Sequence, residues 1–155
     1  MPMNYFSELV NNKILVSTVL GWLVAQVLKT ILHTIVNKKF VAERLVGTGG
    51  MPSSHSATVC GLTTAVCVIC GPGSPEFAVS AAFAIVVMYD ALGVRRQAGE
   101  QAKVLNQMLD SFHKMGDTDI SPEERLKEFV GHTPSQVVVG ALIGILIALL
   151  VCNVL

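Results

Sequence analysis

The chain has 155 residues, 52% of them hydrophobic and 14% charged, with a formal net charge of +0. An ordinary soluble domain carries about 25% charged residues, so the composition excludes that class. The balanced charge gives no footing for a nucleic-acid partner. The length suits one domain, residues 1–155. The apolar stretches predict an all-α, polytopic membrane bundle with about four transmembrane helices and an additional interfacial amphipathic helix.

The first apolar stretch runs from Ile14 to Val36, longer than the roughly 20 residues that cross a bilayer. It is too long for a signal-peptide core and no small-residue cleavage site follows it, so it is expected to be retained. Gln26, Lys29 and His33 fall on one helix face. An ionisable group inside a membrane segment marks a candidate functional site; snorkelling of Lys29 and His33 from the last turns is the plain alternative. Gly47, Gly49 and Gly50 then free the backbone before Pro52. Pro52 suits the first turn of a helix, and Ser53, Ser54 and Ser56 offer caps and hydroxyls.

The second stretch covers Ser53 to Cys70, and Gly71–Pro75 (GPGSP) is an uncharged tight turn. The third covers Glu76 to Val94, with Asp90 near its end and Arg95 and Arg96 behind it. The helical pattern continues through Gln97–Phe112, where Ala98, Ala102, Leu105 and Leu109 form one stripe. Ser121, Pro122 and Glu124 match a capping box for a short helix. The last stretch runs from Pro134 to Leu155. Gly140 and Gly144 within it have the GxxxG spacing that suits close approach of another helix, a lipid-packing face or a homodimer face. Cys60, Cys67, Cys70 and Cys152 all lie in apolar surroundings. With no second Cys pair or histidine at zinc spacing, they read as buried or lipid-facing thiols.

Antiparallel crossings bring the end of the first stretch, the start of the second, the end of the third and the start of the fourth to one side. Ten of the eleven Lys and Arg residues belong to that side, which the positive-inside rule places in the cytoplasm. Three constellations meet there. Gly49–Ser56 combines backbone N–H groups, the Ser53 and Ser54 hydroxyls and His55, a cradle for an anion with a proton donor beside it. Gly131–Gln136 puts His132 at the start of a membrane helix with Gln136 four residues on; a neutral imidazole so placed can attack phosphorus. Asp90, Arg95 and Arg96 supply guanidinium groups for phosphoryl oxygens and a carboxylate to pair with them or orient a histidine. The chain has no GxSxG elbow, Walker loop or Rossmann fingerprint.

Pro52-Ser53-Ser54-His55 resembles the PSGH motif of the type 2 phosphatidic acid phosphatase and vanadium haloperoxidase superfamily. His132–Gly140 (HTPSQVVVG) resembles its later HxxSDVxxG motif. Gly49–Ala57, Val87–Ala102 and Leu126–Gly140 together resemble the superfamily's divergent small membrane branch. The resemblance implies a metal-independent, cofactor-free phosphatase acting on a phosphorylated lipid, with His132 as nucleophile and His55 as general acid. It implies a phosphate clamp from Arg95, Arg96 and one of Lys29, Lys39 or Arg44, since the KxxxxxxRP spacing is absent. Gln136 stands where the superfamily has Asp, and Asp90 or Glu128 is expected to take over its orienting role in space. Arg125 precedes His132 by seven positions instead of six. Four long helices stand in place of about six in the superfamily. A non-catalytic membrane protein that binds lipid phosphate, or a small membrane transporter, is the alternative function.

Overall fold

The computed structural model describes residues 5–38, 49–114, 125–126 and 131–154. Lys39, Arg44, Glu128 and the Ser121–Glu124 capping box lie outside them. The described residues form six helices: α1 (Tyr5–Asn11), α2 (Lys13–Asn37), α3 (Ser54–Cys70), α4 (Pro75–Leu92), α5 (Val94–Lys114) and α6 (Pro134–Val154). The four apolar stretches are α2, α3, α4 and α6, close to the bounds the hydropathy pattern predicts. The chain is an all-helical membrane bundle. Three helical runs are long and apolar enough to cross a bilayer: α2, the Pro75–Phe112 run of α4 with α5, and α6. The fourth, α3, has 17 residues, about 25 Å, and is shorter than the roughly 30 Å hydrocarbon core.

Local chemistry sets the helix ends. The Asn12 side chain accepts from the backbone N–H groups of Ile14 and Leu15 at the start of α2. Ser74 caps α4 by accepting from Phe77 N–H, with Pro75 in the first turn, where proline's missing donor costs nothing. The tight turn Gly71–Ser74 joins α3 to α4, with Gly71 at φ 89°. α4 ends at Gly93, and α5 starts directly after it.

The short helix α3 is the centre, packed against α2, α4 and α6, while α2 also meets α6. Lipid tails give helices no hydrophobic reason to associate, so close backbone packing must hold the bundle. Small residues allow it. A methyl group on Gly140 would strike the Ser53 carbonyl oxygen, and one on Gly144 would strike that of Ala57. Gly21 of α2 faces the same Ala57 carbonyl, where an added Cβ would sit 2.9 Å away. The GxxxG pair is therefore used inside the chain, against α3, and not as a dimer face. Far from the histidines, Lys13 Nζ donates to the Cys152 carbonyl at 3.4 Å and Thr63 Oγ1 to that of Ser80 at 3.0 Å. The first joins the start of α2 to the end of α6 and the second the later half of α3 to the earlier half of α4, as antiparallel crossings require. Large apolar side chains such as Val79, Ile85 and Val86 of α4 and Leu146 and Leu150 of α6 point outward, the surface a bilayer would cover. All four cysteines are free thiols: Cys60 is buried, Cys67 and Cys152 are half-buried and Cys70 is exposed.

The stripe expected on α5 is rotated. Ala102 and Leu109 turn toward the chain, but Ala98 and Leu105 turn outward, and Gly99 and Asn106 are buried in their place. The cause is polar. Asn106 clasps the backbone of Leu126, donating from Nδ2 to its carbonyl at 2.9 Å and accepting its N–H at 3.1 Å.

Candidate functional site

The start of α3 is built before any histidine is placed. Gly49 and Gly50 take φ of 84° and 86°, a region that side-chain-bearing residues disfavour. Ser53, not Pro52, is the turn's anchor. It is the N-cap of α3, and its hydroxyl oxygen accepts from Ser56 N–H at 3.3 Å and from Ser56 Oγ–H at 3.1 Å. Its own N–H donates to the Gln136 carbonyl at 3.0 Å. This bond ties the first turns of α3 and α6 together over Gly140. Ser53 is wholly buried and its oxygen accepts both cap bonds, so it holds the loop.

Lys29 settles the snorkelling alternative. It is 2% exposed, and its ammonium turns inward to donate to Ser54 Oγ at 3.2 Å. Of the three cations offered for the clamp from this part of the chain, Lys29 is the one within the described residues, and it stands beside the first turn of α3.

His132 reaches the same place from the other side. Its backbone N–H donates to the Ala91 carbonyl at the end of α4, at 3.1 Å. Gly131 lies so close to the backbone of Arg96 that an added Cβ would overlap it. The α4–α5 junction thus seats the residue that precedes the nucleophile candidate. Arg96 contributes this backbone surface, and its side chain is exposed; it does not join the cluster as a clamp. α6 then opens with one half of a capping box: the Gln136 side-chain oxygen reaches back to Thr133 N–H at 3.1 Å, as a residue three positions after the cap does. The same oxygen lies 3.1 Å from His132 Nδ1. An amide oxygen can only accept, so this contact needs a proton on Nδ1, and the ring when neutral then has its lone pair on Nε2. That Nε2 is buried and has no hydrogen-bond partner.

The two imidazoles meet. Their ring centroids are 5.9 Å apart and their planes cross at 66°, and His55 Nδ1 is also buried without a partner. Burial lowers the His132 pKa below its ordinary value, and the charges of Lys29 and Arg95 push the same way against the Gln136 contact and the Gly50 backbone. Arg95 and Asp90 form an ion pair at 2.6 Å, with side chains 40% and 38% exposed. Asp90 therefore pairs with Arg95 and does not orient a histidine ring. Two cations and one carboxylate act on the histidine pair, a net positive field suited to an anion.

The structure brings together His55, His132, Gln136, Ser54 and Lys29, with the Arg95–Asp90 pair acting through its charge. The sequence did not point to Ala91 and the Arg96 backbone, because main-chain contacts leave no residue-type signal; the glycine at 131 was their only trace. Asn106 was legible only as a polar residue beside an apolar stripe.

The profile of the Divergent PAP2 family matches residues 10–147. An uncharacterized membrane protein, YuiD of Bacillus subtilis (strain 168), is 42% identical over 150 residues, covering 92% of this chain and 95% of that protein. No solved structure matches. With His55, Gln136 and His132 all inside the matched span and the match taking in α2 to α5 and the first two-thirds of α6, the chain belongs to the Divergent PAP2 family of integral membrane proteins.

Proposed function

We propose that the protein is a lipid-phosphate phosphatase that works through a phosphohistidine. His132 Nε2 attacks phosphorus and forms an N–P bond as the P–O bond to the lipid breaks. His55 gives a proton to the departing alkoxide, so the lipid leaves as an alcohol. A water then attacks the phosphohistidine, loses its proton to His55, and His132 departs, restoring both rings. Lys29 and Arg95 oppose the negative charge on the five-coordinate transition state. The reading places the site on the cytoplasmic side of a bacterial plasma membrane, where the positive-inside rule puts the basic residues.

The observation that carries it is the Gln136 contact with His132: an amide oxygen at Nδ1 favours the tautomer whose Nε2 lone pair lies beside a second imidazole. Gln136 does this without a charge. Replacing a triad Asp by Asn in a serine protease costs about 10⁴ because it selects the wrong tautomer. The bifurcated Gln136 oxygen keeps the right one here. Its handicap is confined to weaker support for the imidazolium-like transition state.

The test is phosphate release from dioleoyl phosphatidic acid by protein reconstituted in liposomes. Release should vanish in His132→Ala and in His55→Ala, and quenching in alkaline detergent should trap an acid-labile phosphoryl group on protein that retains His132. Continued turnover without His132 would sink the covalent mechanism. The neutral Gln136 and the 2% exposure of His132 favour a second reading, lipid-phosphate binding without turnover; lipid retention with no release in the unaltered protein would select it.

A further inference from the structure

Helix α5 turns one face away from the rest of the chain. Among the described residues it packs on a single helix, its predecessor α4. Val94, Ala98, Gln101, Leu105, Met108 and Phe112 are all exposed, the four large apolar ones at 63%, 47%, 54% and 49%. They follow one another at intervals of four, three, four, three and four residues, the alternation of a coiled-coil seam. The seam begins at the Gly93 break: one step further back stands Ala91, 2% exposed inside its own chain. Its flanks suit pairing with an identical helix. On one side Ala102 and Leu109 turn inward, and Arg95 is held by Asp90. On the other, Gln97, Val104 and Ser111 are uncharged. Arg96, Glu100, Lys103 and Asp110 lie toward the back of the helix, so no like charges meet across the seam.

We infer that this face of α5 pairs with the same face of a second copy of the chain, in parallel and in register, and that the protein is a homodimer. The inference stands apart from the phosphatase reading. Two copies inserted with one orientation are related by a two-fold axis along the membrane normal, so each seam residue meets its own counterpart. Gln101 decides between a second copy and a lipid surface. It stands in the middle of the stripe, where acyl chains would leave its amide without partners, whereas two amides across the axis can hydrogen-bond to each other and fix the register. The polar face also differs from the basic one of a helix that lies on lipid, since Glu100 and Asp110 are interleaved with Arg96 and Lys103. The seam is about 27 Å long, short for free helices. Confinement in one membrane raises the effective concentration of the two copies and offsets that shortness. The first turn of α5 also carries the Arg95–Asp90 pair and the Arg96 backbone that seats Gly131, so the seam steadies one wall of each histidine site.

The experiment counts subunits by single-molecule photobleaching of the labelled full chain, diluted in phosphatidylcholine liposomes. The unaltered protein should bleach in two steps. Leu105→Glu should weaken pairing by about 100-fold or more, because each copy withdraws a buried leucine and two carboxylates then face each other; single steps should dominate. Lys103→Glu, on the back of the helix, should leave the dimer intact. Crosslinking reads the same seam without weakening it. In a Cys70→Ser background, which removes the exposed native thiol, Leu105→Cys should form a disulfide dimer on copper-phenanthroline oxidation, and Lys103→Cys should not. Single-step bleaching of the unaltered protein would overturn the proposal. So would dimers that survive Leu105→Glu and give no crosslink at position 105, since the copies would then meet elsewhere. A monomer whose fluorophore on Leu105→Cys is quenched by lipids brominated along the acyl chains would refute it in favour of the bilayer surface.

Discussion

Gln136→Glu changes one atom's charge at the centre of the cluster and keeps the length of the side chain. The carboxylate would stand where the amide oxygen now lies 3.1 Å from His132 Nδ1, about 4 Å from the centre of a charged ring. At an effective dielectric of about 20, that pair is worth about 4 kcal/mol. Lys29 and Arg95 oppose the ring's charge, and part of the gain is lost to desolvating the new carboxylate. Taking about half as the surviving share gives about 2 kcal/mol, or about 1.5 pKa units upward for His132. The assay is histidine-selective NMR titration in nanodiscs. The chain has four histidines, so the His132 signal is identified by its loss in His132→Gln. If the protein turns over lipid phosphate, kcat at pH 8 should rise about tenfold, since positive charge builds on the ring during attack. The acid limb of the pH profile should move up with the pKa. A His132 pKa that stays put in a folded Gln136→Glu protein would show that Gln136 does not hold the ring, and the tautomer argument would fall.

Lys29→Met should also raise the His132 pKa, by removing one of the two cations that depress it, and should weaken retention of phosphatidic acid in a lipid overlay or vesicle pull-down; unchanged retention would remove Lys29 from the anion site. His132 gives stability a pH dependence of known sign: its folded pKa is lowered, so the unfolded chain binds the proton first as pH falls through about 6.5. Stability should be full above that value and decline below it down to the folded pKa, and thermal unfolding between pH 8 and 5 should flatten in His132→Gln. Gly144→Leu forces a side chain into the Ala57 carbonyl and should cost about 3 kcal/mol or more, at the upper end of overpacking penalties because backbone cannot yield, read as a lowered Tm; a stable Gly144→Leu protein would contradict the α3–α6 contact. Asn106→Leu leaves both backbone groups of Leu126 without their clasp, about 1–3 kcal/mol, and should speed amide exchange at Leu126 selectively.

Much of the fold could be read from hydropathy because membrane helices satisfy their own backbones, and apolar length is then enough to find them. The ends of α2, α3, α4 and α6 fell within a few residues of expectation for that reason. The α1 turn, wholly exposed, has no such signal. The histidine pair was legible too: antiparallel crossings fix which ends share a side, and two imidazoles at two helix starts on that side had to be near each other. What failed was side-chain aim. Whether Lys29 faces lipid or Ser54, whether Asp90 takes Arg95 or a ring, and whether Arg96 points in or out depend on helix rotations of tens of degrees. In a helix with one narrow polar stripe the rotation is set by partners that the sequence does not name, and α5 turned by the Asn106–Leu126 clasp is the clearest case.

The same contacts that hold the bundle also position the histidine pair. Gly140 lets α6 come within backbone distance of α3, and only at that distance can Ser53 N–H reach the Gln136 carbonyl. Gln136 thereby has its main chain fixed to one helix start and its side chain fixed to Thr133 and His132 at the other. A shift of α6 by a single ångström would lengthen both sets of bonds at once. A loop-borne histidine in so small a protein would ordinarily wander, and a misplacement of about 1 Å can cost about 10²-fold in rate. Here the ring is held at Nδ1 by a residue rigidly seated in two helix caps, and its backbone is held by Ala91. The tight glycine packing is therefore a requirement of the site as well as of the fold: larger residues at Gly140 or Gly144 should misalign His132 even in a bundle that still assembles.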